Sequence, residues 1–406
     1  MTVSRRQFMH WLGLSSTGLI AAACSAPAPA APTAAPKAAA PTSAPVAAPP
    51  PTTAAAVAPA SAPPATTKDF QATWDALVDA AKKEGKLAVN TFPGTGYRQA
   101  IDVFTERYPG IVIDHTNMIA REVAARVIPE QKAGVYAFDV TQMPATTALS
   151  DLLPAGAWAP IKPAIIHPDV LDDKNWRGGF EAGLLDNSKQ FGYGFALNKS
   201  QNFWINTELV KSGEIRLVKD LLDPKWKGKI VVMDPRSGGF TAGPLTPARK
   251  VYGDEFLKSF LIEQEPVITR DQRQATEMLI RGGMAIATGP TEILIDDFKN
   301  SGVDVKVDKV MFPDATTLSG GSVWLFKNAP NPNAAKLFIN WLLSKEGQAV
   351  WNEKALVENS RRTDVAPVLP ERYPTDDEIK TMTYADTEIE VEEIAKTQKL
   401  STDLLK

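Results

Sequence analysis

Between residues 25 and 68 the chain has almost nothing with which to fold. These 44 residues hold 19 alanines and 12 prolines, and their only charges are Lys37 and Lys68. Alanine and proline bury little apolar area, and the prolines favour extended polyproline II backbone without internal hydrogen bonds. The segment therefore predicts a disordered tether, reaching between ~40 Å when coiled and ~130 Å when extended. Globular structure must come from the 338 residues Asp69 to Lys406. That length accommodates two α/β lobes with complete cores.

The residues before the tether give it a purpose. Arg5 and Arg6 precede an apolar stretch, Phe8 to Ala23, which at about 16 residues is shorter than a spanning helix of ~20. Residues 1–23 thus read as an export signal. Ser4-Arg5-Arg6-Gln7-Phe8 resembles a twin-arginine signal. Ile20-Ala21-Ala22-Ala23-Cys24 resembles a bacterial lipobox, with Ala21 where leucine is usual. The resemblance implies cleavage before Cys24 and lipid attachment to its thiol. Two or three acyl chains would hold the protein to a membrane. The expectation is export, with anchoring to the outer face of the cytoplasmic membrane, in a periplasm or at a cell surface.

Composition excludes several classes. A net charge of −3 and a pI near 5.8 give no general reason to bind nucleic acid or an anionic membrane surface. One cysteine rules out an intramolecular disulfide framework and a cysteine-based zinc site, and three histidines leave little for a histidine-rich metal centre. The sequence has no Gly-x-Ser-x-Gly, no His-Glu-x-x-His and no Walker-type loop. No enzyme, no cofactor and no metal are expected.

Hydrophobic spacing orders the globular part. Trp74, Leu77, Val78 and Ala81 predict an opening helix, and Lys86 to Phe92 a strand. Helical spacing resumes at Ile101, Phe104 and Tyr108. Ile111–Ile113 and Phe138–Thr141 read as strands around a helix at Arg121–Ala133. This alternation predicts right-handed βαβ units and a parallel sheet. The second half repeats it, with strands at Lys229–Met233, Met284–Ala287, Val305–Phe312 and Ser322–Phe326. Helices are expected at Glu255–Ile262, around Met278 and at Glu292–Lys299. Ala334, Leu337, Phe338, Trp341 and Leu342 mark the clearest helix of the chain. Phe191–Asn206 and Thr316–Phe326 read as crossings between lobes, giving a hinge beneath a cleft. The predicted fold is α/β, two doubly wound lobes with an interlobe cleft. Lobe 1 comprises 69–197 with 318–365 returning to it, lobe 2 comprises 198–317, and 366–406 form a C-terminal helical extension. Its acidic end, Asp386 to Lys396, is expected to be a solvated helix.

Three strings carry a family resemblance. Asp220–Val232 (DLLDPKWKGKIVV), Met278–Thr288 (MLIRGGMAIAT) and Asn328–Gln348 (NAPNPNAAKLFINWLLSKEGQ) resemble segments of bacterial extracellular solute-binding proteins of ABC importers. Within these, the chain is similar to the type II periplasmic-binding group related to ferric-iron and polyamine binders, over about Asp69 to Pro370. The resemblance implies a monomeric receptor that captures a small solute and delivers it to a membrane permease served by a separate ATPase. Ferric binders of this group use an adjacent tyrosine pair. That pair would fall near Gly289-Pro290-Thr291-Glu292, and no Tyr-Tyr occurs in the chain. Direct ferric binding in that manner is therefore not expected; Arg236, Arg270 and the helix N-termini motivate a small anionic or polar solute, with a metal ion or iron chelate as the alternative. A sensory protein presenting ligand to a membrane kinase is a second alternative, and a secreted hydrolase a third.

In such folds, loops after parallel strands and helix N-termini face the ligand. They are Thr91–Tyr97, Thr141–Thr147, Asp234–Thr241, Thr269–Gln272 and Thr288–Glu292. The candidate ligand-binding residues are Thr95, Tyr97, Thr141, Tyr193, Arg236, Ser237, Arg270 and Thr291. The two arginines suit bidentate capture of a carboxylate, sulfonate or phosphonate, unless Asp234 or Asp271 pairs them. Tyr97, Tyr193 and Phe240 suit an aromatic wall. Tyr193 equally suits hinge packing. Trp324, Trp341 and Trp351 are expected in the core. Arg361 and Arg362 are open between cleft and solvated surface, and His115, which follows a strand, could reach the cleft.

Overall fold

The structure, a computed structural model, describes residues 67–200, 203–356 and 358–406. The export segment, Cys24 and the tether up to residue 66 lie outside the described residues.

The chain enters through α1 (Thr67–Glu84), β1 (Lys86–Thr91), α2 (Thr95–Arg107), β2 (Val112–Asn117), α3 (Ala120–Lys132) and β3 (Val140–Met143). After the short α4 (Ala145–Thr147) and α5 (Pro168–Leu171) come β4 (Tyr193–Gly194), β5 (Asn198–Ser200) and β6 (Phe203–Asn206). Next are β7 (Ile230–Met233), α6 (Gly239–Ala242), α7 (Thr246–Tyr252), α8 (Asp254–Lys258), β8 (Val267–Thr269) and α9 (Gln272–Ile280). They are followed by β9 (Ile286–Thr288), α10 (Glu292–Asn300), β10 (Val307–Val310), β11 (Thr317–Ser319) and β12 (Ser322–Leu325). The chain closes with α11 (Pro332–Leu343), α12 (Lys345–Ala355), α13 (Asp376–Thr381) and α14 (Glu388–Leu404).

Two five-stranded sheets define two lobes. One has the order β2-β1-β3-β12-β4 and the other β10-β6-β9-β7-β8. Both are mixed, where the alternation of elements predicted parallel sheets. β1 pairs in parallel with β2 and β3, and β7 with β8 and β9. β12 runs antiparallel to β3 and β4, and β6 antiparallel to β9 and β10. The antiparallel strands adjoin the crossings. The chain leaves the first sheet at β4, passes through β5, and enters the second at β6; β11 returns it to β12. β5 and β11 pair antiparallel as a separate ribbon. β6 and β8, of four and three residues, escaped hydrophobic patterning because so few positions carry no period.

Each sheet has its own core. Leu87, Val89, Ile101, Phe104, Phe338 and Trp341 belong to a cluster joining α1, α2 and α11 to the first sheet. Phe104 meets Phe338 and Trp341 edge-on at 5.2 Å, a favoured aromatic arrangement. Phe203, Ile230, Leu257, Phe260 and Phe312 build the equivalent core in the second lobe. Trp324, Trp341 and Trp351 are buried, as their spacing suggested. Buried Asp139 fastens β1 to the entry of α11, accepting from the Ala88 amide at 2.7 Å and the Asn331 amide at 2.6 Å.

The C-terminal segment corrects one expectation. α14 is not a solvated helix: Val391, Ile394, Thr397 and Ser401 are buried along one face. Their spacing follows the helical period, but two of the four are hydroxyl residues, so an apolar count underrates the stripe.

Candidate functional site

The loops at the carboxyl ends of the parallel strands are knit together within each lobe. In the first lobe, Asn90 and Thr91 end β1, and Thr141 and Gln142 lie in β3. Asn90 Nδ2 donates to Thr141 Oγ1 at 3.0 Å, and Asn90 Oδ1 accepts from the Met118 amide at 3.0 Å. Gln142 Oε1 accepts from the Phe92 amide at 3.3 Å. His115, on edge strand β2, shares a 2.8 Å hydrogen bond with Thr91 Oγ1. Burial lowers the His115 pKa and nearby Arg98 lowers it further, against Asp102, so the ring is neutral at pH 7. This is a polar, uncharged network, and apart from His115 it is buried. α2 follows it with Gly94 as N-cap and no side-chain cap, leaving the amides of its first turn without an acidic partner.

The second lobe gathers charge. Asp234 directly follows β7, and its side chain is 2% exposed. Its carboxylate accepts from Arg236 Nε at 2.8 Å and Nη2 at 3.0 Å, and from Arg270 Nε at 2.9 Å. Burial raises the Asp234 carboxyl, but the arginine hydrogen bonds outweigh it and bring it down to about 2. The neighbouring loops are tied in as well. Gln272 Nε2 donates to the Gly289 carbonyl at 2.6 Å, and Thr288 Oγ1 accepts from the Met233 amide at 2.9 Å. Gly238, at φ 139°, turns the chain from β7 into α6, a conformation suited to glycine.

The lobes touch where two of these loops meet. A side chain at Gly239 would overlap the Thr146 methyl group. The segments after β3 and β7 are thus brought face to face, with α4 against α6.

The individual candidates fall into three groups. Arg236, Ser237, Arg270 and Thr291 lie at the carboxyl-end loops of the second lobe. Ser237 is exposed, and Thr291 caps α10 by accepting from the Leu294 amide at 3.4 Å. Arg270 is 73% exposed, and among the described residues only Asp234 pairs with it. Arg236 is more fully occupied, because its Nη1 also donates to the Leu405 carbonyl at 2.8 Å. In the first lobe Thr95 is exposed at the start of α2, while Thr141 is buried beneath Asn90. Tyr97 is corrected, and Tyr193 takes the packing role that was its other reading. Tyr97 is buried against Trp351, and Tyr193 is fully buried between Trp176 and Phe180. Both rings belong to the first-lobe core, so neither walls a cleft in this arrangement. Phe240, 55% exposed on α6, remains available to do so. Arg361 and Arg362 are buried rather than solvated. Arg362 binds Asp364 at 2.8 Å and Asp169 at 2.9 Å, while Arg361 donates to the Arg177 carbonyl at 2.9 Å.

Asn90 was missed by reading the sequence, and Gln142 was covered only as part of the Thr141–Thr147 loop. Their signal was a polar residue inside an otherwise buried strand, in KLAVNT and VTQM. Such residues must find partners, and at a carboxyl end those partners are loop amides.

Among the described residues no group of three His, Cys, Asp or Glu side chains could hold a metal ion. A small surface groove of about 90 Å³ between α3 and residues 155–157 lies away from these loops.

Two α/β lobes, joined by a crossing ribbon and meeting through the loops at their strand ends, are the architecture of a two-lobed binding protein. Residues 99–380 match the family of bacterial extracellular solute-binding proteins, and the chain belongs to that family. It is a family of binding proteins, not of enzymes. An uncharacterized protein of Haemophilus influenzae is 30% identical over 162 residues, which are 37% of this chain and 45% of that relative. Among solved structures, iron-bound HitA from Pseudomonas aeruginosa is 17% identical, with a TM-score of 0.59 over 79% of this chain and 99% of that one. AfuA from Actinobacillus pleuropneumoniae, with fructose-6-phosphate bound, is 21% identical, with a TM-score of 0.52 over 78% and 99%. At these identities the likeness is one of fold.

Proposed function

We propose that the chain is the receptor of an ABC-type importer, capturing a small anionic or polar solute between its lobes and delivering it to a membrane permease. The observation that carries this reading is Arg270. Its guanidinium is held through Nε by a buried carboxylate, while its Nη groups stay exposed beside the interlobe loops. Such an arrangement pre-orients the donors that clasp a carboxylate or phosphate. The uncapped start of α2 favours an anion from the other side. Closure around ligand would give the permease a loaded form distinct from the empty one. Cys24 would carry the lipid, and residues 25–68 would let the receptor range above the membrane. Acyl transfer to Cys24 and export by the twin-arginine route belong to the same proposal.

A thermal-shift screen of the full chain carrying Cys24→Ser tests it, against organic acids, phosphosugars, sulfonates, sugars, polyamines and ferric citrate. A ligand at about 100 times its Kd adds about 2.7 kcal/mol to stability. An organic anion should raise the Tm, and Arg270→Ala should abolish that rise. A rise with ferric citrate alone would favour the second reading, a chelated-iron receptor, which the iron-bound relatives motivate. No rise with any anion would remove the anion reading.

A further inference from the structure

Residues 373–406 make their contacts between parts of the molecule that the two sheets keep apart. They begin on the first lobe, where Arg177 bonds the Tyr373 hydroxyl at 2.7 Å and pairs with Asp376. They next run along the crossing ribbon. The Leu318 amide of β11 donates to the Thr383 carbonyl at 2.8 Å, and the Ala385 amide donates to the Leu318 carbonyl at 2.7 Å. Tyr384 Oη donates to the Ala196 carbonyl of the outward crossing at 3.3 Å. Asp386 Oδ2 accepts from the Gly320 amide at 2.7 Å on the returning crossing. The ribbon thus has a third backbone partner.

α14 then spans the lobes. Near its start, Val391 belongs to the first-lobe cluster that holds Leu149, Leu152 and Trp324. One turn on, Ile394 packs on Gly239 and Gly243 of the second lobe, beside the contact with Thr146. Thr397 Oγ1 accepts from Thr246 Oγ1 at 3.0 Å and Arg249 Nε at 2.9 Å. Lys250 pairs with Glu390 at 2.5 Å, and Arg249 pairs with Glu393. Leu400, Leu404 and Leu405 lie on the second-lobe core.

We propose that residues 373–406 are an interlobe brace that holds the lobes in the arrangement where Thr146 meets Gly239 and limits how far they swing apart. A rotation about β5 and β11 must shear one end of α14 from its lobe. The first-lobe end is tied by backbone pairing at the ribbon and by buried Val391. The second-lobe end is held more extensively, by Ile394, Leu400, Leu404 and Leu405, by buried Thr397 and Ser401, and by the pairs that Arg249 and Lys250 make with Glu393 and Glu390. Opening must therefore break one of these two attachments, and the brace sets the balance between the two arrangements.

The test is an interlobe distance measurement by double electron–electron resonance. The full chain carries Cys24→Ser, with nitroxides at Asp79→Cys on α1 and Lys299→Cys on α10. It is compared with the same chain carrying Arg249→Gln, Thr397→Val and Leu404→Ala. A milder variant, Glu390→Gln with Glu393→Gln, changes only the helix side of the ion pairs and guards against misfolding. Amide exchange in α14 beyond Thr397 should quicken about tenfold in the variants, and the distance distribution should extend to longer separations. Quickened exchange with an unchanged distribution would overturn the brace. Unchanged exchange in both variants would overturn it too, because the second-lobe contacts would then not be what holds α14.

Discussion

At the carboxyl ends of β1, β2 and β3 the polar side chains are neutral and bonded to one another, whereas the ends of β7 and β8 hold a carboxylate between two arginines. The contrast is between Asn90, His115 and Gln142 on one side and Asp234, Arg236 and Arg270 on the other. Neutral groups buried and fully bonded shape a surface at little electrostatic cost. A charged cluster instead stores direction. Asp234 consumes the Nε of Arg270 and leaves its Nη groups outward. On the proposed function, the asymmetry would give the second lobe the larger part in recognising charge.

The sharpest way to break this contrast is Asp234→Ala. It leaves Arg236 without its bidentate partner and Arg270 without its anchor. We expect a loss of about 2 kcal/mol in urea unfolding, since charge-assisted hydrogen bonds are each worth about 1.5–3 kcal/mol and Arg270 is largely solvated. Anion-induced stabilisation should vanish with it. If stability falls and anion response survives, the cluster is structural only.

The pH dependence separates the lobes from the hinge between them. Burial lifts both Glu358, which accepts from the Gly321 amide, and Asp386, which accepts from the Gly320 amide, to about 7. A carboxyl raised in the folded state holds a proton there that the unfolded chain has released. Its contribution is therefore complete below the unfolded value, 4.5 for Glu358 and 3.8 for Asp386, and is lost as pH rises through about 7. Each of the two carboxyls should cost about 2.5 kcal/mol of stability between pH 5 and pH 8, and Glu358→Gln should remove its share of the slope while that of Asp386 remains. Asp234, at about 2, stays ionised throughout, so anion binding at the second lobe should stay level over the same range. A binding curve that tracks the stability curve would show that the hinge carboxyls, not the arginine cluster, govern capture.

Asn90→Ala examines the neutral side. It removes the acceptor of the Met118 amide and the partner of Thr141. A loss of about 1–2 kcal/mol is expected, with anion response retained. The smallest effect on stability should come from Arg270→Ala, within about 0.5 kcal/mol because the side chain is exposed, although anion response should disappear. Together these substitutions form a crossed pair, one costing stability without recognition and the other recognition without stability.

Much of this arrangement was legible in the chain. Ala334, Leu337, Phe338, Trp341 and Leu342 mark α11 because long apolar periods admit one reading. The crossings at 191–206 and 316–326 were marked by extended, glycine-bearing stretches between helical patterns. The candidate loops followed from topology, since the carboxyl ends of parallel strands collect on one edge. The fate of single side chains was not legible. Tyr97 and Tyr193 sit beside cleft-facing loops in sequence, yet a ring's direction depends on what packs behind it, here Trp351 in one case and Trp176 in the other.

By itself the sequence set the expectation of where a core can form and where it cannot, at the alanine- and proline-rich segment, because chain composition sets how much area can be buried. It also determined the alternation of strands and helices and the absence of an adjacent tyrosine pair, since these depend only on neighbouring residues. Tertiary structure alone decided that the sheets are mixed, that Arg236 turns to Leu405 while Arg270 faces outward, and that α14 joins the lobes. Each of these depends on contacts between residues distant in the chain. Arg236 and Leu405 are 169 positions apart, and no local period, propensity or charge pattern records which distant group arrives to take a hydrogen bond.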